Sequence, residues 1–277
     1  MKLTSLALSG LVLSVLSNPT IVVAEGTTSA THEAKSWGYK ENDEAMFGPS
    51  QWGAQYPTCA GSHQSPIDIP RHQKRSGAKS PLAFSGDCEA YKLTHTEEAY
   101  KALTQGGSCA VSVSSTAKYS MLQLHMHAPA EHTLSGQAFD GEVHFVHQST
   151  DGSGKLLVVG LFLKKQKHAQ TDPWLTKFWD SLDTVNANTT ESPIKLGSYS
   201  KLLTDAMAKG RVFNYAGGLT TPNCTEIVDW WVLRAPVHVA PADFAKFMSY
   251  QETLPALDKG HGARPVQPLN GRVITAY

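Results

Sequence analysis

The sequence predicts a mainly β protein: one domain around a large, predominantly antiparallel twisted central sheet, with short peripheral helices. Three observations carry this. Most apolar segments are of strand length, roughly four to eight residues. Only two stretches stand out with an apolar helical stripe. No internal repeat, low-complexity tract or Pro/Gly linker divides the 277 residues, a length that one core can fill. The balance of 24 basic and 24 acidic residues, with no long run of either sign, makes nucleic acid and anionic membranes unexpected partners.

Taken in order, the chain opens on what reads as an export signal, residues 1–24. Lys2 supplies the positive charge, and Leu3 to Leu16 is apolar apart from Thr, Ser and Gly. Val22, Val23 and Ala24 are small or short residues suited to a cut near Ala24, leaving 25–277 as the working domain. The apolar stretch is short for a membrane span, which needs about 20 residues. A secreted or otherwise extracytoplasmic protein without a stable membrane anchor is therefore expected. Four cysteines remain, Cys59, Cys88, Cys109 and Cys224. In an oxidising compartment they suggest two disulfides, with three pairings open.

Strands are expected at Ala110–Val113, Met121–Met126, Glu142–Val146, Leu156–Leu163 and Ile227–Leu233. Asp151-Gly152-Ser153-Gly154 is a turn between two of them. The run from Leu156 to Leu163 is apolar at every position except Gly160, which places it centrally, buried on both faces. One helix is capped by Asp172 and opened by Pro173, with Trp174, Leu175, Phe178, Leu182 and Val185 on one stripe. A second opens at Pro241 and turns Phe244, Phe247 and Met248 inward.

The segment Gln123-Leu124-His125-Met126-His127 carries the chemistry. Alternate side chains of a strand share a face, so Gln123, His125 and His127 point one way. In Glu142-Val143-His144-Phe145-Val146-His147, the same rule puts Glu142, His144 and Val146 together. If the two strands pair, His144 completes a set of three imidazoles, and Gln123 and Glu142 can hydrogen-bond and orient them. Three neutral nitrogens with an open fourth position suit catalytic rather than structural zinc. No HExxH helix points instead to a metalloprotease.

Several motifs together resemble the α-carbonic anhydrase family, over nearly the whole length from Trp37 onward. They are Trp37-Gly38-Tyr39, Gln64-Ser65-Pro66-Ile67-Asp68-Ile69, Gln123–His127 with Pro129-Ala130-Glu131-His132, and Glu142–His147. Leu219-Thr220-Thr221-Pro222 and Arg264-Pro265-Val266-Gln267-Pro268-Leu269-Asn270 complete the series.

The resemblance implies one Zn2+ per chain on His125, His127 and His144, and interconversion of CO2 and water with bicarbonate and a proton. It implies attack by a zinc-bound hydroxide that Thr220 and Glu131 orient, with Thr221 beside them. Gln123 and Glu142 would be partners of the zinc ligands, and Val146, Val158, Leu219, Val228 and Trp230 the apolar wall that receives CO2. His132 and His147 would be buried hydrogen-bonding residues, and Tyr39 and Tyr215 supporting groups near the site. All three zinc histidines are present, unlike in family members that serve only as binding modules.

A Cys59–Cys224 bond follows from the same resemblance, and with it Cys88–Cys109. An ungapped match places Gly107 where fast members carry a proton-shuttling histidine, with Gln105 and Ala110 at the polar positions lining the cavity. His95 is a candidate substitute. Asn188-Thr189-Thr190 is an N-glycosylation sequon in a polar loop, relevant in a eukaryotic secretory pathway. Asn223-Cys224-Thr225 is a second, crowded by the expected disulfide.

Overall fold

The computed structural model describes residues 35–113, 115 and 117–277, so the expected signal segment lies outside the described residues. A 12-stranded sheet organises them. From one edge its main path runs Glu191–Lys195, Ala90–His95, Tyr100–Thr104, Ala117–His127 and Gly141–Ser149. It continues through Leu156–Lys165, Val228–Val239, Val212–Gly217, Thr275–Ala276 and Lys74–Arg75. Ala110–Val113 pairs beside Ala117–His127 and carries Leu82–Ser85 on its other side.

The sheet is mixed. Most ladders are antiparallel, but Leu156–Lys165 runs parallel to Val228–Val239, and Thr275–Ala276 parallel to Lys74–Arg75. Between Lys165 and Val228 the chain passes through two helices and adds the strands Glu191–Lys195 and Val212–Gly217 to the sheet elsewhere. It therefore re-enters at Val228 in the original direction, as a parallel pair requires.

The central strand is fully buried from Leu156 to Leu163, and its alternation separates two packed layers. Leu157, Val159, Leu161 and Leu163 join the larger core, with Val143, Phe145, Trp231 and Leu233 from the flanking strands. The helices cover this layer through Leu175, Phe178, Leu203 and Phe247. Leu156, Val158 and Phe162 face the other way, into a smaller cluster with Val146, Trp230, Val232 and Ile67. The histidine face of the strands looks to this second side. Helices and site thus occupy opposite faces of one rigid sheet.

The helix at Pro173–Ser181 begins as expected, with Asp172 Oδ1 accepting from Trp174 N at 2.8 Å. Leu182 lies in a following 3-10 turn, with Val185 buried just beyond it. Pro241–Gln251 buries Phe244 and Phe247. The helix at Ser200–Ala208 has no side-chain cap and gives no start signal in sequence; Leu202, Leu203 and Ala206 hold it to the core. Both disulfides, Cys59–Cys224 and Cys88–Cys109, are formed.

Candidate metal centre

The Ala117–His127 and Gly141–Ser149 strands pair antiparallel with His144 opposite His125 and Glu142 opposite His127. Cross-strand neighbours lie close enough for side chains to meet. The three ring centroids are 5.0, 5.3 and 4.7 Å apart, and one nitrogen from each ring falls within 4.8 Å of the others.

Each ring is oriented through the nitrogen that faces away. His125 Nδ1 donates to Gln123 Oε1 at 2.9 Å, and His127 Nδ1 to Gly262 O at 2.6 Å. His144 Nε2 lies 3.1 Å from Glu142 Oε1, close but not aligned as a full hydrogen bond. The nitrogens left to converge are Nε2 of His125, Nε2 of His127 and Nδ1 of His144. His127 Nε2 is buried without any hydrogen-bond partner. Such an orphaned group is costly unless something binds it. Burial, reinforced by the neighbouring imidazoles, holds His125 well below the ordinary histidine range, and burial takes His127 down to about 4. Burial lowers His144 as well, so all three favour the neutral form, the one that binds metal. The donor set therefore fits a divalent metal such as zinc.

Glu142 is the hub behind the three imidazoles. Its Oε2 accepts from the main-chain N–H of Glu131 and His132, and its Oε1 from His132 Nδ1 at 2.8 Å. His132 Nε2 in turn accepts from Tyr215 Oη at 2.7 Å, and Tyr215 Oη lies 2.9 Å from Ser65 Oγ. Tyr215 thus supports His132 from behind. Gly160, opposite His144, leaves room for this carboxylate: a Cβ there would stand 2.6 Å from Glu142 Oε1.

Glu131 Oε1 accepts from Arg264 N at 3.0 Å, while Oε2 is buried without an aligned partner. Burial pushes this carboxyl up to about 7, against the lowering influence of His144, Arg264 N–H and the Thr220 hydroxyl. His147 lies on the opposite face, with Nε2 2.7 Å from Tyr199 Oη.

A cavity of ≈ 210 Å³ opens over the three imidazoles. Val146, Val158, Leu219 and Trp230 form its apolar wall; Thr220, Thr221, Gln123 and Tyr39 also line it. Val228 does not. It is buried where its strand begins and borders a different cavity, beside Leu156 and Gly217. His95 likewise borders another cavity, with Tyr100 and Asp183.

Gly107 too lies outside the lining of this cavity. Gln105 to Gly107 lie between Tyr100–Thr104 and Ala110–Val113, with Gly107 against Asp87 and Cys88. None of Gln105, Gly107 and Ala110 lines the cavity; the preceding hairpin supplies Glu98, Ala99 and Lys101 instead. Lys101 Nζ and Glu98 Oε1 pair at 2.6 Å. Burial acts to raise Glu98, but Lys101 and Thr96 prevail and hold it below its ordinary value. Sequence spacing could reveal these residues only with the Ala90–His95/Tyr100–Thr104 pairing in hand.

Sheet and site together define a mainly β fold carrying three converging imidazoles that could hold a metal ion, beneath an apolar pocket. Residues 47–277 match the family model for eukaryotic-type carbonic anhydrases, and the chain belongs to that family. It is 32% identical over 259 residues to a carbonic anhydrase of Nostoc sp., an alignment spanning 90% of this chain and 88% of that protein. It is 31% identical to human carbonic anhydrase 7, over 87% of this chain and 96% of the relative. Among solved structures, the α-carbonic anhydrase of Thermovibrio ammonificans superposes with a TM-score of 0.71 at 30% identity, covering 88% of this chain and all (100%) of that one. That of Photobacterium profundum gives 0.69 at 27% identity, covering 87% and 100%. Carbonic anhydrases are zinc-dependent enzymes that hydrate CO2, and this chain is an enzyme of that family. The two disulfides fit an oxidising compartment. Among the described residues, no helix is long and apolar enough to cross a membrane.

Proposed function

We propose that the protein catalyses reversible hydration of CO2 to bicarbonate and a proton, with one zinc ion per chain held by His125 Nε2, His127 Nε2 and His144 Nδ1. The observation that carries this reading is the convergence of three neutral imidazole nitrogens on rings each oriented by a different neighbour. Bound there, zinc supplies the Lewis acidity that acidifies a water molecule, a chemistry of which carbonic anhydrases are the standard example.

The chain's own residues do the rest. Glu131 Oε1 is pinned by Arg264 N, which leaves Oε2 to take a hydrogen bond from the Thr220 hydroxyl. With its proton so committed, Thr220 Oγ1 presents a lone pair to the pocket and accepts only from a protonated partner. Thr221 flanks the same position. Val146, Val158, Leu219 and Trp230 offer CO2 an apolar surface from which water is easily displaced.

We further read residues 1–24 as an export signal removed near Ala24, and 25–277 as the catalytic domain. Asn188 stands exposed in its loop, accessible to glycosylation in a host that carries it out.

Stopped-flow CO2 hydration on the purified mature chain tests the reading. His144→Ala should abolish both zinc retention and hydration. Thr220→Val should keep zinc and lower kcat/KM by about 100-fold, the scale of losing one preorganised hydrogen-bonding group. Full activity in Thr220→Val would sink the Thr220–Glu131 assignment.

A further inference from the structure

Six arginines occur in the chain, and they are not scattered. Arg264 is buried and bonded to Gln64, Ser65 and Cys59, while Arg272 caps the main-chain carbonyls of Ala216, Pro268 and Leu269. The other four, Arg71, Arg75, Arg211 and Arg234, line a single cavity of ≈ 520 Å³ away from the metal centre.

The sheet edge brings them together. Arg234 N donates to Arg211 O at 2.9 Å where two antiparallel strands begin and end their pairing. Arg75 pairs with Ala276, which pairs with Phe213, two residues beyond Arg211. Arg71 follows the short Asp68–Ile69 strand.

Among the described residues, no acidic one lines the cavity. Among the described residues, no carboxylate lies within ion-pair distance of any of the four guanidinium groups. The nearby Asp68 carboxylate is engaged by Thr133 Oγ1 and Gly136 N.

Four unpaired cations in one concavity repel each other, and like charges facing across strands destabilise a sheet. In a chain of zero formal net charge this concentration of one sign is a local feature with no counter-charge of its own. Arginine rather than lysine matters here. Its planar fork donates two parallel hydrogen bonds to an oxyanion, and it is less strongly hydrated than an ammonium group. The volume is that of a small-molecule site.

We infer that this cavity is a second binding site, taking a small polyanion with two or more phosphate-type oxyanion groups. It is separate from the metal centre and from the CO2 reading.

Isothermal titration calorimetry of the zinc-loaded, full mature protein with sodium tripolyphosphate, at near-physiological salt, tests it. Saturable one-to-one binding is expected. Arg211→Gln/Arg234→Gln should weaken it by about tenfold or more, and Arg211→Lys/Arg234→Lys by a smaller but measurable factor, since charge survives and the fork does not. CO2 hydration should stay unchanged in both variants, which shows that they are folded. Absence of saturable binding, or equal binding by wild type and the Gln variant, overturns the inference. So does binding confined to anionic lipid vesicles, with none to soluble tripolyphosphate.

Discussion

At the scale of single residues, the centre works by division of labour within each imidazole: one nitrogen is held and the other is left free. Gln123, Gly262 and Glu142 do the holding. Glu142→Ala should therefore weaken zinc binding by about 10- to 100-fold, as measured by competition with a chromogenic chelator. An unchanged affinity would mean that Glu142 serves only Glu131 and His132. The meeting of His125, His127 and His144 was legible in sequence because strand alternation fixes which residues share a face. Gln123 and Glu142 came with them for the same reason. The contacts from Gly262 O and Arg264 N were not legible, since both are main-chain groups from a distant loop and no side-chain pattern marks them.

At the scale of elements, the continuous apolar run from Leu156 announced the central strand, and its two faces feed two cores. Leu161 is fully buried on the helix-covered face. Leu161→Ala should cost about 2 to 5 kcal/mol in urea unfolding while leaving one zinc per chain, because the cavity opens on the side away from the metal. Gly160→Ala should do the reverse in kind. It displaces Glu142, so zinc affinity should fall further than stability alone accounts for. If chelator competition finds Gly160→Ala as tight as wild type, the close approach to Glu142 is not functional. The hairpin of Ala90–His95 and Tyr100–Thr104 escaped the sequence reading. Its strands mix lysine, threonine and tyrosine with few aliphatics, and its turn carries the Glu98–Lys101 pair to the cavity.

At the scale of the whole molecule, buried histidines govern how the apoprotein responds to acid. Burial lowers His125, His127, His144 and His147, the last to about 4, whereas the unfolded chain titrates near 6.5. A group kept neutral by folding contributes its stability above 6.5 and loses it as pH falls toward 4. His147 alone accounts for on the order of 3 kcal/mol. Glu131, raised to about 7, works in the opposite direction, but it is one group against four. The urea midpoint of chelator-treated protein should fall steadily from pH 6.5 to 4; a flat profile contradicts this. The Cys59–Cys224 bond spans a sequence separation of 165 and ends three residues from Thr221, whose carbonyl accepts from Cys224 N. Cys59→Ala/Cys224→Ala should cost about 3 to 5 kcal/mol and slow CO2 hydration by loosening the Thr220 loop. Titration of the apoprotein with zinc, following the CO2 hydration rate, tests the central claim most directly. The rate should rise linearly and break sharply at one zinc per chain. A break at another ratio, or zinc uptake without hydration, would contradict a catalytic centre built on His125, His127 and His144.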